Sequence, residues 1–264
     1  MTSWILEKLR AIALPTVTAV VVIVLWESAA RLGWMPDYVL PGPTAILNEI
    51  YNSWHSLLLH AYVTTVEIIL GFLVAVLAGV GLAVVMVYVP LVEQAIYPWI
   101  VVSQVVPKVA LGPLFVIWLG FGMLPKVTIA FLIAFFPILI DTLIGLNSIE
   151  QEPFYLLRSM GAGRLKAFWY LRLPHAMPNI FAGMKVAMTL AVVGAIIGEF
   201  VGANAGLGYL LLYANGAMNT RLLFAALVVL TIAALILYAI LVIVEKFVIP
   251  WHVSVRLGAA RATM

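Results

Sequence analysis

LLFAALVVLTIAALILYAILVIV, residues 222–244, runs for 23 residues without a charge. About 20 predominantly apolar residues span the hydrocarbon core of a bilayer as a helix, so this stretch predicts a transmembrane helix. The rest of the chain agrees with it. Of 264 residues, 65% are apolar and 9% are charged, against roughly 25% charged in a soluble domain. That composition excludes an ordinary soluble enzyme and a disordered chain. The net charge of +3 is scattered rather than gathered into a patch, so a nucleic-acid partner is not expected. No cysteine is present, which removes disulfides, thiolate metal sites and cysteine nucleophiles.

Working outward from 222–244, five more apolar runs appear, at 11–30, 61–88, 91–119, 126–146 and 178–200. The first is longer than a signal-peptide core and lacks a clear cleavage site, so it reads as a retained helix. The third contains Pro98, Pro107 and Pro113 beside Gly112, too many breaks for one straight helix, and is expected to be kinked or broken. The fourth is expected to bend at Pro137. Residues 34–60 are Pro-punctuated; Leu40-Pro41-Gly42-Pro43-Thr44 opens an amphipathic helix with Ile46, Leu47, Ile50 and Trp54 at helical spacing, expected to lie along the membrane surface. The expected fold class is an all-α integral membrane protein with six transmembrane helices. It forms a single domain over 1–264, with 201–221 as an outer loop.

Basic residues orient the spans. Placing 147–175 and both termini inside puts nine of the fourteen cations on the cytoplasmic side: Lys8, Arg10, Arg158, Arg164, Lys166, Arg172, Lys246, Arg256 and Arg261. Arg31, Arg221 and the boundary residue Lys126 fall outside; Lys108 and Lys185 lie within spans. The four histidines (His55, His60, His175 and His252) sit in loops or at span ends, and Asp37 and Asp141 are the only aspartates. No Ser–His pair, aspartate pair or metal-ligand spacing stands at membrane depth, and no phosphate-loop motif occurs. No catalytic residue, metal site or resident cofactor is therefore expected. If transport is ATP-driven, ATP and Mg belong to another chain.

The most informative polar stretch is EPFYLLRSMGAGRLKAFWYLRLPHAMP, residues 152–178. Pro153 suits a helix first turn, Gly161-Ala162-Gly163 interrupts, and a second helix over 164–173 is expected to stop at Pro174. These residues fit a solvated loop with a reinforcing hairpin or an interfacial helix dipping into headgroups, and equally a docking knob whose apolar anchors are rimmed by Arg and Lys.

Here the chain resembles the permeases of ABC importers. Their cytoplasmic signature is E-A-A, three residues, G, nine residues, I-x-L-P. Gly161 is followed after nine residues by Leu171-Arg172-Leu173-Pro174; Tyr155, Leu156 and Leu157 stand at E-A-A, so the acidic residue is missing. Val106–Leu114, Trp118–Gly122, Ile197–Phe200 and Gly206–Tyr209, together with 40–44, resemble the nitrate/sulfonate/taurine/bicarbonate branch. The resemblance implies a type I importer fold in a bacterial inner membrane with both termini cytoplasmic. It implies a second permease copy, two cytoplasmic ATP-binding subunits and a periplasmic or lipid-anchored solute-binding protein. The substrate would be a small anionic or polar aromatic solute. The ATPase-coupling residues would be Tyr155, Leu156, Leu157, Arg158, Met160, Gly161, Ala162, Gly163, Arg164, Leu171, Leu173 and Pro174.

Ionisable residues at membrane depth are costly and point to function or pairing. Glu67 heads a row of small residues, Gly71, Ala75, Gly79 and Ala83, which marks a close helix contact and turns Glu67 into the protein, as a buried brace or a substrate contact. Gly183, Ala187, Ala191 and Ala195 form a second row. Lys185 lies roughly 200° around from Gly183, to line the path or reach the inner surface. Glu199 either braces the 202–206 loop or forms part of the path's mouth. Lys108, beside Pro107, can attract an anion or bond free carbonyls. Ser103 and Gln104 offer neutral hydrogen bonds just before that break. These six form the candidate translocation path. An ion relay through Lys108, Glu67 and Lys185 would instead describe a stand-alone secondary transporter.

Overall fold

The computed structural model describes residues 2–34 and 36–251. Arg256, Arg261 and His252 lie outside the described residues, as do the side chains of Lys8 and Arg10. The described residues form helices α1 (Thr2–Arg31), α2 (Pro43–Asn52), α3 (Trp54–Tyr88), α4 (Pro90–Val105), α5 (Gly112–Leu119) and α6 (Met123–Asn147). They continue as α7 (Gln151–Ser159), α8 (Arg164–Ala167), α9 (Leu173–Gly202), α10 (Leu207–Gly216) and α11 (Thr220–Val248). Among the described residues five helices are long and apolar enough to cross a membrane, and a sixth crossing is reached if α4 and the segment through α5, bent by 89° at their junction, count as one broken span. The break falls where the sequence puts it: α4 ends before Val106-Pro107, and a 3₁₀ turn, Lys108–Leu111, leads into α5 with Pro113 in its first turn.

The centre of the molecule is α3, α6 and α9. Their small residues let the backbones approach, as in helix packing inside bilayers generally. A Cβ on Gly71 of α3 would lie 2.6 Å from Ala130 Cβ, and one on Gly194 of α9 would lie 2.6 Å from Ala130 Cα. One alanine of α6 is thus clamped from both sides. Around it Ile68, Phe72, Ala134, Ile138, Ala187 and Ala191 are buried.

Three expectations change. The amphipathic segment packs part of its apolar face on protein. Helix α2 buries Ile46 and half-buries Ile50 in a cluster with Leu57, Leu210 and Ala226, while Leu47 stays exposed. Trp54 starts α3, which at 35 residues is about 52 Å long at 1.5 Å per residue and outreaches the hydrocarbon core. Second, the outer loop is not structureless: its GLGYLLLYANG stretch holds α10. Third, the second helix of the 147–175 loop does not stop at Pro174. It passes through a π turn, Phe168–Arg172, into α9, making one helix from Arg164 to Gly202. Pro174 stands in the first turn of the α9 ladder, directly after the π turn.

Candidate functional site

The 147–175 loop turns at Gly161. Its φ of +79° is the left-handed conformation that glycine adopts without a Cβ penalty. Ala162 N–H donates to Leu157 O at 3.0 Å and Gly161 N–H donates to Arg158 O at 3.0 Å. That is the paired bonding of a Schellman cap, which satisfies the last carbonyls of α7. Gly163 is extended and the next helix starts at Arg164. The corner leaves apolar surface uncovered: Tyr155, Leu156, Leu165 and Trp169 are exposed, Met160 is 75% exposed and Tyr170 79%. Arg158, Gly161, Gly163, Arg164 and Lys166 are exposed among them, and Leu157 and Ala162 are half-buried. Leu171, Leu173 and Pro174 are also half-buried. Leu173 packs with Phe168 on the buried cluster of Leu139, Leu143 and Ile180. The last three signature positions therefore root the loop, and the earlier ones present its surface.

The path candidates separate into distinct places. Glu67 is fully buried and pairs with Lys126, Nζ to Oε1 at 2.6 Å. Glu199, 1% exposed, adjoins the same pair. Its Oε1 accepts from Thr64 Oγ1 at 2.6 Å, and its Oε2 accepts from Gly208 N–H and, at 3.3 Å, from Tyr209 N–H. Thr64 Oγ1 accepts from Leu207 N–H at 2.7 Å, and His60 Nδ1 accepts from Gly206 N–H at 3.0 Å. Lys126 also reaches Ala205 O at 3.5 Å. The free N–H groups that open α10 are thus held by side chains of α3 and α9, and anionic oxygen suits a helix N-terminus. Gly206 (φ +121°) and Gly208 leave no space for a Cβ beside the Glu199 carboxyl.

Elsewhere, Lys185 pairs with Glu245 of α11 at 2.5 Å. Lys108 sits over the Phe136 ring, 4.5 Å from its centroid. Ser103 donates to Ile100 O at 2.7 Å within its own helix, and Gln104 is exposed. The structure brings Glu67 and Glu199 together; Lys185 pairs instead with Glu245, and Lys108 and the Ser103–Gln104 pair stand on either side of the Val106-Pro107 break. Sequence reasoning missed Lys126, Thr64, His60 and Glu245. The usable signal was that a lysine and a glutamate within neighbouring apolar spans both need a partner at membrane depth.

The chain's relatives agree with this architecture. Residues 68–251 match the family model described as "Binding-protein-dependent transport system inner membrane component". The formylaminopyrimidine transport permease protein ThiX of Halalkalibacterium halodurans is 34% identical over 90% of this chain and 95% of its own length. The riboflavin transport system permease protein RibX of Chloroflexus aurantiacus is 34% identical over 92% and 91%. A chain of the MetNI methionine ABC transporter, solved in an inward-facing conformation, superposes with a TM-score of 0.61 at 16% identity. It covers 75% of this chain and 97% of that one, and so attests the fold alone. With five or six apolar helices long enough to cross a membrane, a glycine-cornered loop and a family match over most of its length, the chain belongs to the binding-protein-dependent inner-membrane permeases, the membrane subunits of ABC importers, which are not themselves enzymes.

Proposed function

We propose that two copies of this permease enclose a path for a small polar heteroaromatic solute. Two cytoplasmic ATPase subunits move the pair by gripping the 147–175 loop, and a solute-binding protein delivers the substrate from the opposite side. In this arrangement the loop and both termini are cytoplasmic, the membrane is the bacterial inner membrane, and ATP and Mg reside on the ATPase. The solute class rests on two relatives at 34% identity, one named for formylaminopyrimidine and one for riboflavin. Lys108 and the Ser103–Gln104 pair, at the broken crossing, are the path contacts this reading keeps. The buried Glu67 and Glu199 act as braces.

One observation carries the coupling role. The exposed apolar surface around Met160 and Leu165 stands on a capped glycine corner whose second arm is continuous with α9. Apolar anchors in a polar rim are the usual centre of a protein interface, and a rigid connection lets a grip there move a membrane span. The test is Gly161→Pro in the reconstituted complex. Proline fixes φ near −65°, against +79° here. The expected result is normal membrane insertion with ATP hydrolysis uncoupled from uptake; normal uptake would reject the docking role.

A further inference from the structure

A cleft of about 620 Å³ lies between the loop and the end of α3, within the size range of ligand pockets. Its walls are Val87, Tyr88 and Pro90 on one side and Phe154 and Leu157 on the other. Three arginines line it: Arg158, Arg164 and Arg172. No acidic side chain lines it, and no carboxylate pairs with these arginines among the described residues.

Arg172 is the informative member. Its guanidinium stacks near two rings, 5.4 Å from the Tyr88 centroid and 5.0 Å from that of Phe154. Its Nε is buried without a hydrogen-bond partner. A buried charged donor left unpaired is costly and rare. Gly163 and Arg164 begin a helix that runs to Gly202, and Gly163 supplies no side-chain cap. Its first N–H groups therefore add positive potential to the same cleft. Three unpaired guanidinium groups and a helix N-terminus call for a phosphate-type anion, which arginine binds through its planar fork. The apolar walls, and the position at the end of a membrane-spanning helix, call for an anion carried on an apolar body.

We propose that this cleft binds a phosphate group, with the headgroup of an anionic phospholipid the occupant its walls fit best. This does not depend on which side of the membrane the loop occupies.

The test uses the purified full chain in detergent, with retained ligand read by native mass spectrometry. The probes are phosphatidylglycerol and phosphatidylcholine of matched acyl chains, with inorganic phosphate added in a separate arm. Wild type is expected to retain phosphatidylglycerol preferentially, and the Arg158→Gln/Arg164→Gln double variant to lose roughly thirtyfold of that preference, from about 1 kcal/mol for each of the two basic residues at a membrane surface. The exposed pair is chosen because Arg172 is packed between rings and its loss would disturb folding. Retention of inorganic phosphate that the double variant abolishes, without lipid selectivity, assigns the site to a soluble phosphate and keeps the anion assignment. Equal retention of both lipids with no phosphate bound, or a preference unchanged in the double variant, overturns it. So does a double variant that loses only ATPase-subunit binding in phosphatidylcholine bilayers, since the arginines would then serve that partner.

Discussion

The ammonium of Lys126 lies 2.6 Å from a carboxylate oxygen of Glu67, with both side chains withdrawn from solvent. The pair fastens the N-terminal end of α6 to α3. A lone charge there would have no water to stabilise it, so the two residues are interdependent.

Removing one partner should therefore do more damage than removing both. Lys126→Met is expected to destabilise the protein by roughly 3–5 kcal/mol, the usual cost of an uncompensated buried charge. Adding Glu67→Gln to it should recover most of the loss. Thermal unfolding in detergent reads both variants, and equal stability of the single and double variants would show that the two charges do not depend on each other.

Glu199 holds the first turn of α10 through the N–H groups of Gly208 and Tyr209. Glu199→Ala should free that turn. Hydrogen bonds to charged groups are worth roughly 1.5–3 kcal/mol each, so amide exchange at Gly208 and Tyr209 is expected to quicken about tenfold or more. Unchanged exchange at these two amides would mean that other contacts hold the helix.

The clamp on Ala130 is sensitive to a single methyl. Gly194→Ala would force a Cβ to within 2.6 Å of backbone and is expected to cost about 1–3 kcal/mol. Gly81→Ala, where nothing lies within 4 Å of the added Cβ, should be neutral or slightly stabilising. A melting temperature for each variant tests the contrast, which disappears if α6 can slide aside.

Lys185 and Glu245 tie α9 to α11 in a partly buried pair. Lys185→Glu should lower stability by about 2 kcal/mol through repulsion, and the reversed pair with Glu245→Lys should restore it. The same two variants assayed for uptake separate bracing from a path role. If the reversed pair is stable but transports nothing, the sign of charge at 185 matters to the solute.

The parts of this fold written in local sequence could be read from it. Apolar length announced the crossings, three prolines announced the break at Val106-Pro107, and Gly161 announced the corner. What escaped was tertiary. Lys126 looked like a boundary residue because its partner is 59 residues away. Helix α10 was lost in a supposed loop because ten residues are too few for a crossing and its stability comes from Thr64, His60 and Glu199. Pro174 looked like a terminator because proline breaks helix interiors, yet here it follows a π turn and opens a new hydrogen-bond ladder. Ile46 and Ile50 revealed an amphipathic face but not whether lipid or α11 would cover it.

The helix from Arg164 to Gly202 has 39 residues, roughly 58 Å at 1.5 Å per residue, with the Schellman corner at one tip and Glu199 beside the other. It is one helical run through the π turn and past Pro178. A tilt of a few degrees imposed at Arg164 reaches Glu199 as a lateral sweep of several ångströms, delivered straight into the seat of α10.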